Sequence, residues 1–227
     1  DATVYSVNVV YAQLIMLLGA ENVEALCSQM DIEDIGSNPA IALGGLDIGI
    51  TPLDISKVFS TLASGGVYNK PVTILKITDS EGNVLFQHEP ENQGSSKRIL
   101  DEPVASYITR ILRKVIEIGT GRSADIGRPA AGKTGTTSDY KDAWFAGYTP
   151  ELVTVVWMGN PESSEPMEPI NGRVVVGGTY PADIWSEFMS AALEDSPVRD
   201  FPDPTDGLVD FEVCGESGLK PVFWCPE

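Results

Sequence analysis

Lysine, threonine and glycine follow one another at Lys133-Thr134-Gly135, with Thr136 and Thr137 behind them and Pro129-Ala130-Ala131-Gly132 in front. The run holds one cation, three hydroxyls and a backbone with almost no bulk. Such a run suits an edge strand that lets another extended chain lie close. A lysine set between small residues there has no packing rationale, and its positive charge is the obvious asset. Near the start of the chain, Tyr5-Ser6-Val7-Asn8 puts a hydroxyl and an amide two residues apart at the mouth of a helix. Taken alone, that pair reads as ordinary helix capping.

The elements that must position these groups follow from spacing. Asp142 to Tyr148 and Leu152 to Met158 read as strands, with a tight hairpin at Thr149-Pro150-Glu151. Lys133 to Met158 should therefore form three consecutive antiparallel strands, with the Lys-Thr-Gly strand first. Upstream, Val7 to Leu18 has helical spacing and stops at Gly19, and Glu21 to Met30 gives a second short helix. Thr51 and Pro52 open a helix that runs through Val58, Phe59 and Leu62 to Gly65-Gly66. Val72 to Thr78 and Val84 to Gln87 form a hairpin around Asp79 to Asn83, and Asn92 to Lys97 reads as a polar loop. Val104 to Ile118 is amphipathic and closed by Gly119. Pro181 to Leu193 is the last helix, with Ile184, Trp185, Phe188, Met189 and Ala192 on one face. Helices first, antiparallel strands late and one more helix make an α+β order. Ser196 to Gly207 reads as a proline-rich linker and 208–227 as a short tail, which leaves 1–195 as the folded domain.

Composition narrows the partners. A hydrophobic share of 42% in 227 residues is ample for a core. The formal net charge of −18 argues against nucleic acid or an anionic membrane surface as a partner. Distant surface charge is screened, so an anionic substrate would need a local cation. The longest apolar stretch, Val9 to Leu18, is too short to cross a bilayer. His and Cys do not cluster at metal-ligand spacing, so no metal and no other cofactor is expected. Cys27 falls at an apolar helical position and reads as a buried free thiol, and Cys214 and Cys225 could bridge in an oxidising compartment.

Ser-x-Asn and Lys-Thr-Gly in this order are a known signature. The chain resembles the transpeptidase domain of class A penicillin-binding proteins along nearly its whole length. The resemblance rests on Ser6-Val7-Asn8, Ala42-Leu43-Gly44-Gly45, Gly49-Ile50-Thr51-Pro52-Leu53 and Leu62-Ala63-Ser64-Gly65-Gly66. It continues through Gly119-Thr120-Gly121-Arg122, Ala131 to Thr137, Asp142 to Pro150 and Ile184 to Met189. It implies an α+β penicillin-binding/β-lactamase-like fold, an antiparallel sheet flanked by helices. Such enzymes carry a Ser-x-x-Lys motif upstream of Ser-x-Asn. None precedes Ser6, and Ser95-Ser96-Lys97 has the wrong spacing. The expectation is a C-terminal portion of a longer protein, incomplete at its N-terminus and not acylated by itself. An upstream segment of the same protein would carry Ser-x-x-Lys.

The resemblance also implies roles. The reaction is acyl transfer from a D-alanyl-D-alanine stem peptide of peptidoglycan, on the outer side of the cell membrane, with β-lactams as trapping ligands. Ser6 would relay a proton between the missing lysine and the leaving amine, since a hydroxyl both donates and accepts. Asn8 would hold a substrate carbonyl and steady that lysine. Lys133 would supply positive potential, the Thr134 and Thr136 hydroxyls would bind the terminal carboxylate, and the Thr136 N–H would serve as an oxyanion donor. Gly135 would let the substrate backbone lie alongside. Thr137 would be an auxiliary substrate contact or the end of the strand. Alternation puts Lys133 and Thr134 on opposite faces, so both can serve only if the strand edge borders the cleft. A non-catalytic β-lactam-sensing or wall-binding module would keep the same elements, and a serine β-lactamase shares the motifs. Trp144, Phe145, Trp157, Trp185 and Phe188 read as core.

Overall fold

The structure is a computed structural model, and it describes residues 1–46, 48–89, 96–163, 165–202 and 211–214. Its centre is a three-stranded antiparallel sheet of β5 (Ala131–Thr136), β6 (Asp142–Tyr148) and β7 (Val153–Gly159), in that spatial order. Thr149 closes the β6–β7 hairpin: its N–H donates to Leu152 O at 3.0 Å, and its hydroxyl accepts from the Glu151 and Leu152 amides. Lys133 lies opposite Ala146, and Gly135 opposite Trp144.

Alternation divides this sheet into two faces, and each is covered by helix. Ala131 and Tyr148 pack with Leu112 and Val115 of α5 (Glu102–Glu117) and with Phe59 and Leu62 of α4 (Pro52–Ala63). The Tyr148 hydroxyl meets Thr109 at 2.8 Å, so its one polar atom is satisfied where the ring is fully buried. Phe145 points the other way, into Trp185 of α6 (Tyr180–Ala192) at a centroid distance of 5.3 Å. The Trp185 Nε1–H donates to Thr154 O at 3.0 Å. The result is helix, sheet, helix: the expected α+β architecture of an antiparallel sheet flanked by helices.

Upstream come α1 (Ala2–Tyr5), α2 (Asn8–Leu18) and α3 (Ala20–Ser28). Thr51 and Asp54 form a reciprocal capping box at the start of α4, with Pro52 as its first residue. β2 (Lys76–Thr78) and β3 (Val84–Gln87) are the expected hairpin. β1 (Val67–Asn69) pairs with β4 (Ser96–Arg98), so the end of the expected polar loop is a strand. Backbone proximity makes that strand. Arg98 donates to Gly65 O and Leu100 O, and at Gly66 (φ +90°) a Cβ would lie 2.2 Å from Leu100 O. Apolar alternation could not reveal it. α5 starts two residues earlier than its apolar pattern suggests, at Glu102.

Three expectations about burial are corrected. On α6 the buried stripe is Pro181, Ala182, Trp185 and Met189, whereas Ile184 and Phe188 are exposed. Trp185 decides the rotation, because its indole needs the Thr154 carbonyl and the space beside Gly147, where a Cβ would come within 3.0 Å of the ring. Cys27 is half-buried rather than buried, and burial pushes its thiol pKa up. Trp144 and Trp157 are half-buried and lean on each other at 6.0 Å rather than joining a core cluster.

Residues 196–202 run against the domain. Arg128 donates to Pro197 O, Arg113 pairs with Asp200 at 2.9 Å, and Phe201 packs edge-on against Tyr148. Cys214 is buried, and its proposed bridge to Cys225 lies outside the described residues. On α2, only Ile15 is buried. Val9, Val10, Leu14, Met16, Leu17 and Leu18 all face solvent, Leu17 at 85% exposure.

Candidate active site

β5 is one of the two edge strands of the sheet, and among the described residues no further strand pairs with it. The Thr137 N–H bonds Asp142 O on the neighbouring strand. Backbone groups alternate in direction along a strand, so the N–H and C=O of Thr136 and Thr134 point away from β6, to the open edge. The Lys133 ammonium folds over the same edge and donates to Thr134 O at 2.9 Å. At Gly135 a Cβ would press on Trp144 Cβ at 3.2 Å, so glycine keeps this face shallow.

α1 delivers the second group. It is one turn long and ends at Ser6, which sits in the left-handed region at φ 54°, ψ 50°. A non-glycine residue there is strained, by about 1 kcal/mol or more, and such strain gathers at functional sites. The kink turns the chain from α1 into α2 and aims the Ser6 side chain at the sheet. Lys133 Nζ donates to Ser6 Oγ, joining residues 127 positions apart. Since the ammonium is the donor, the serine keeps its own proton free to give elsewhere. Asn8 stands exposed in the first turn of α2.

Lys133 is a cation largely out of water. Among the described residues it has no ion-pair partner. Burial disfavours its charged form and lowers its pKa from 10.5 to about 8. An arriving carboxylate would supply the missing counter-charge. The site can therefore attract an anion and pass a proton through one hydroxyl.

The threonines divide their work. Thr134 Oγ1 meets Thr120 Oγ1 at 2.7 Å, and Thr136 Oγ1 accepts from the Gly177 N–H at 3.0 Å. Thr137 is drawn into the β5–β6 turn, where its hydroxyl accepts from the Asp142 N–H at 2.8 Å. Three residues at this edge were given no role from sequence: Thr120, quoted only within the Gly119-Thr120-Gly121-Arg122 run, and Gly177 and Gly178. The only signals were a threonine between two glycines and a glycine pair after a valine run. A Cβ on Gly177 would fall 2.4 Å from Trp144 O and 2.6 Å from Gly135 O, so the segment before α6 lies directly on the strand pair.

Ser-x-x-Lys spacing does occur after Ser6, at Ser138-Asp139-Tyr140-Lys141 and at Ser217-Gly218-Leu219-Lys220. The second lies outside the described residues. The first occupies the β5–β6 turn, where Asp139 and Tyr140 are both left-handed, so it lacks the helix that would stack Ser138 under Lys141.

Residues 1–172 match the family described as penicillin binding protein transpeptidase domain. The chain is 39% identical over 159 residues to penicillin-binding protein 1A of Mycolicibacterium smegmatis, covering 68% of this chain and 20% of that protein. It is 32% identical over 204 residues to penicillin-binding protein 1F of Bacillus subtilis, covering 87% of this chain and 27% of that protein. The chain thus spans only about a fifth to just over a quarter of the length of these curated relatives. Among solved structures, it resembles PonA1 of Mycobacterium tuberculosis in complex with penicillin V, at 32% identity and a TM-score of 0.65, covering 74% of this chain and 44% of that one. Penicillin-binding protein 1A of Haemophilus influenzae shares the fold at a TM-score of 0.77 and 24% identity, covering 97% of this chain and 38% of that one. A match over three quarters of the chain, agreeing with the Ser6–Lys133 geometry and the sheet between helices, places the protein in the transpeptidase-domain family of class A penicillin-binding proteins.

Proposed function

We propose that this chain forms the substrate-gripping side of a D,D-transpeptidase that cross-links peptidoglycan and is trapped by β-lactams. The observation that carries this reading is the bond from the Lys133 ammonium to the Ser6 hydroxyl beside an open strand edge. A serine outside these residues, from a Ser-x-x-Lys segment of the same protein, attacks the carbonyl of the penultimate D-alanine. The C–N bond to the last D-alanine breaks. The proton leaving the nucleophile reaches the departing amine by way of Ser6, whose hydroxyl accepts from one side and donates to the other. An amine of a second stem peptide then attacks the acyl-enzyme and restores the serine.

The stem peptide lies along β5, where Gly135 leaves room for its backbone. Its terminal carboxylate meets Lys133 and the Thr136 hydroxyl. That hydroxyl already accepts from Gly177, so its own proton is free to donate. The outward Thr136 N–H stabilises the oxyanion. Asn8 takes a substrate carbonyl. Thr134 acts through the strand, since its hydroxyl is engaged with Thr120, and Thr137 through the turn it closes. The reaction belongs on the extracytoplasmic side of the membrane, where the polymer is.

A fluorescent penicillin followed on a gel tests the reading. The 227-residue chain alone should give no stable adduct, and the chain joined to a Ser-x-x-Lys segment should give one. Rapid drug turnover would indicate a lactamase instead. An absence of adduct in both forms would indicate a non-catalytic module.

A further inference from the structure

We propose that Thr120 is a positioning residue that holds the Ser6 hydroxyl and the Lys133 ammonium in contact. The inference rests on the reading of that pair given above and adds a residue to it. Thr120 engages three separate parts of the chain through three of its atoms. Its N–H donates to Val4 O in α1 at 3.2 Å. Its hydroxyl shares a 2.7 Å hydrogen bond with Thr134 on β5. Its carbonyl oxygen lies against Gly178, where a Cβ would come within 2.3 Å.

Val4 is two residues from Ser6, and Thr134 is next to Lys133. One residue therefore bonds to the immediate neighbourhood of both partners. The flanking glycines show how closely this seat is packed. A Cβ on Gly119 would fall 2.4 Å from Val4 O and 2.8 Å from Val4 Cγ1. Val4 itself is 2% exposed and fixes α1 against α5. α1 is a single turn, too short to hold its own place, and its orientation is set by what it docks on. Ser6 needs that docking, since its left-handed backbone is strained and persists only while neighbours over-determine it.

Lysine-selective heteronuclear NMR of this chain, with the Lys133 signal assigned from Lys133→Arg, reads the burial of the ammonium against Ser6 as a titration midpoint. The wild-type midpoint should be near 8. Thr120→Val keeps the shape and the N–H but removes the hydroxyl; by loosening the seat it should let water reach the ammonium and move the midpoint toward 10.5 with the circular dichroism unchanged. Thr120→Ser should restore the wild-type value, and Thr134→Val should copy Thr120→Val without adding to it in the double variant. Should Thr120→Val unfold the chain, Gly178→Ala, which pushes on the Thr120 carbonyl, should give the same upward shift. A wild-type midpoint near 10.5 overturns the reading of the pair itself. A midpoint near 8 that both Thr120→Val and Gly178→Ala leave in place overturns the role of Thr120 alone.

Discussion

At the scale of single residues, the chemistry sits in a cation kept from water with no counter-ion among the described residues. Lys133 was legible in the sequence because a lysine between small residues on a strand has nothing to pack against. Its bond to Ser6 was not legible in the same way, because it depends on a left-handed serine that no spacing rule announces. The depressed pKa has a consequence for stability. Below pH 8 the folded and unfolded chains both hold the Lys133 proton. Between about 8 and 10.5 the unfolded chain still holds it while the folded chain has lost it. Stability therefore rises with pH through that window. Urea melts should show this gain in the wild type and its loss in Lys133→Met. Ser6→Gly relieves the backbone at φ 54° but removes the hydroxyl. It should leave thermal stability equal or higher while slowing penicillin acylation of the active, upstream-extended chain by about two to four powers of ten.

At the scale of elements, the helices and the main sheet were readable because each has its own periodicity and punctuation. Thr51-Pro52 opens α4, Gly19 ends α2, and Thr149-Pro150 turns β6 into β7. What periodicity could not carry was contact between backbones. β1 with β4, and Gly177-Gly178 on β5, are close approaches whose only trace in the sequence is a glycine. The rotation of α6 was misread for a related reason: burying the Trp185 ring, with its N–H on Thr154 O, turned Ile184 and Phe188 outward. Trp185→Ala should cost about 3–5 kcal/mol in chemical denaturation, as for a large buried aromatic ring. Ile184→Ala and Phe188→Ala should each cost far less, since both side chains are about half exposed. Gly177→Ala has no room toward Trp144 O and Gly135 O and should cost about 1–3 kcal/mol. The measurement is the same urea melt, and equal losses for Trp185→Ala and Phe188→Ala would reverse the assignment of the buried face.

At the scale of the whole molecule, a well-packed sheet core contrasts with an exposed apolar helix. The sheet is sandwiched between helices, yet α2, which starts at the site, turns most of its apolar side chains to water. A helix apolar on all sides is normally buried. In the proposed enzyme that surface meets the Ser-x-x-Lys segment, beside the hydroxyl and amide it must work with. Leu17→Glu should thus change the stability of this chain by no more than about 0.5 kcal/mol, because Leu17 is already 85% exposed. The same change in the upstream-extended chain should abolish labelling. The acidity of the chain, −18 overall, is not gathered in a run, and in the proposed enzyme Lys133 is the local cation that attracts the substrate's carboxylate. The central claim is most directly tested by the rate at which a fluorescent penicillin acylates the upstream-extended chain, with wild type, Ser6→Ala and Lys133→Ala side by side. The account predicts rapid labelling of the wild type and labelling about two to four powers of ten slower in either variant. Labelling of both variants at the wild-type rate would contradict it.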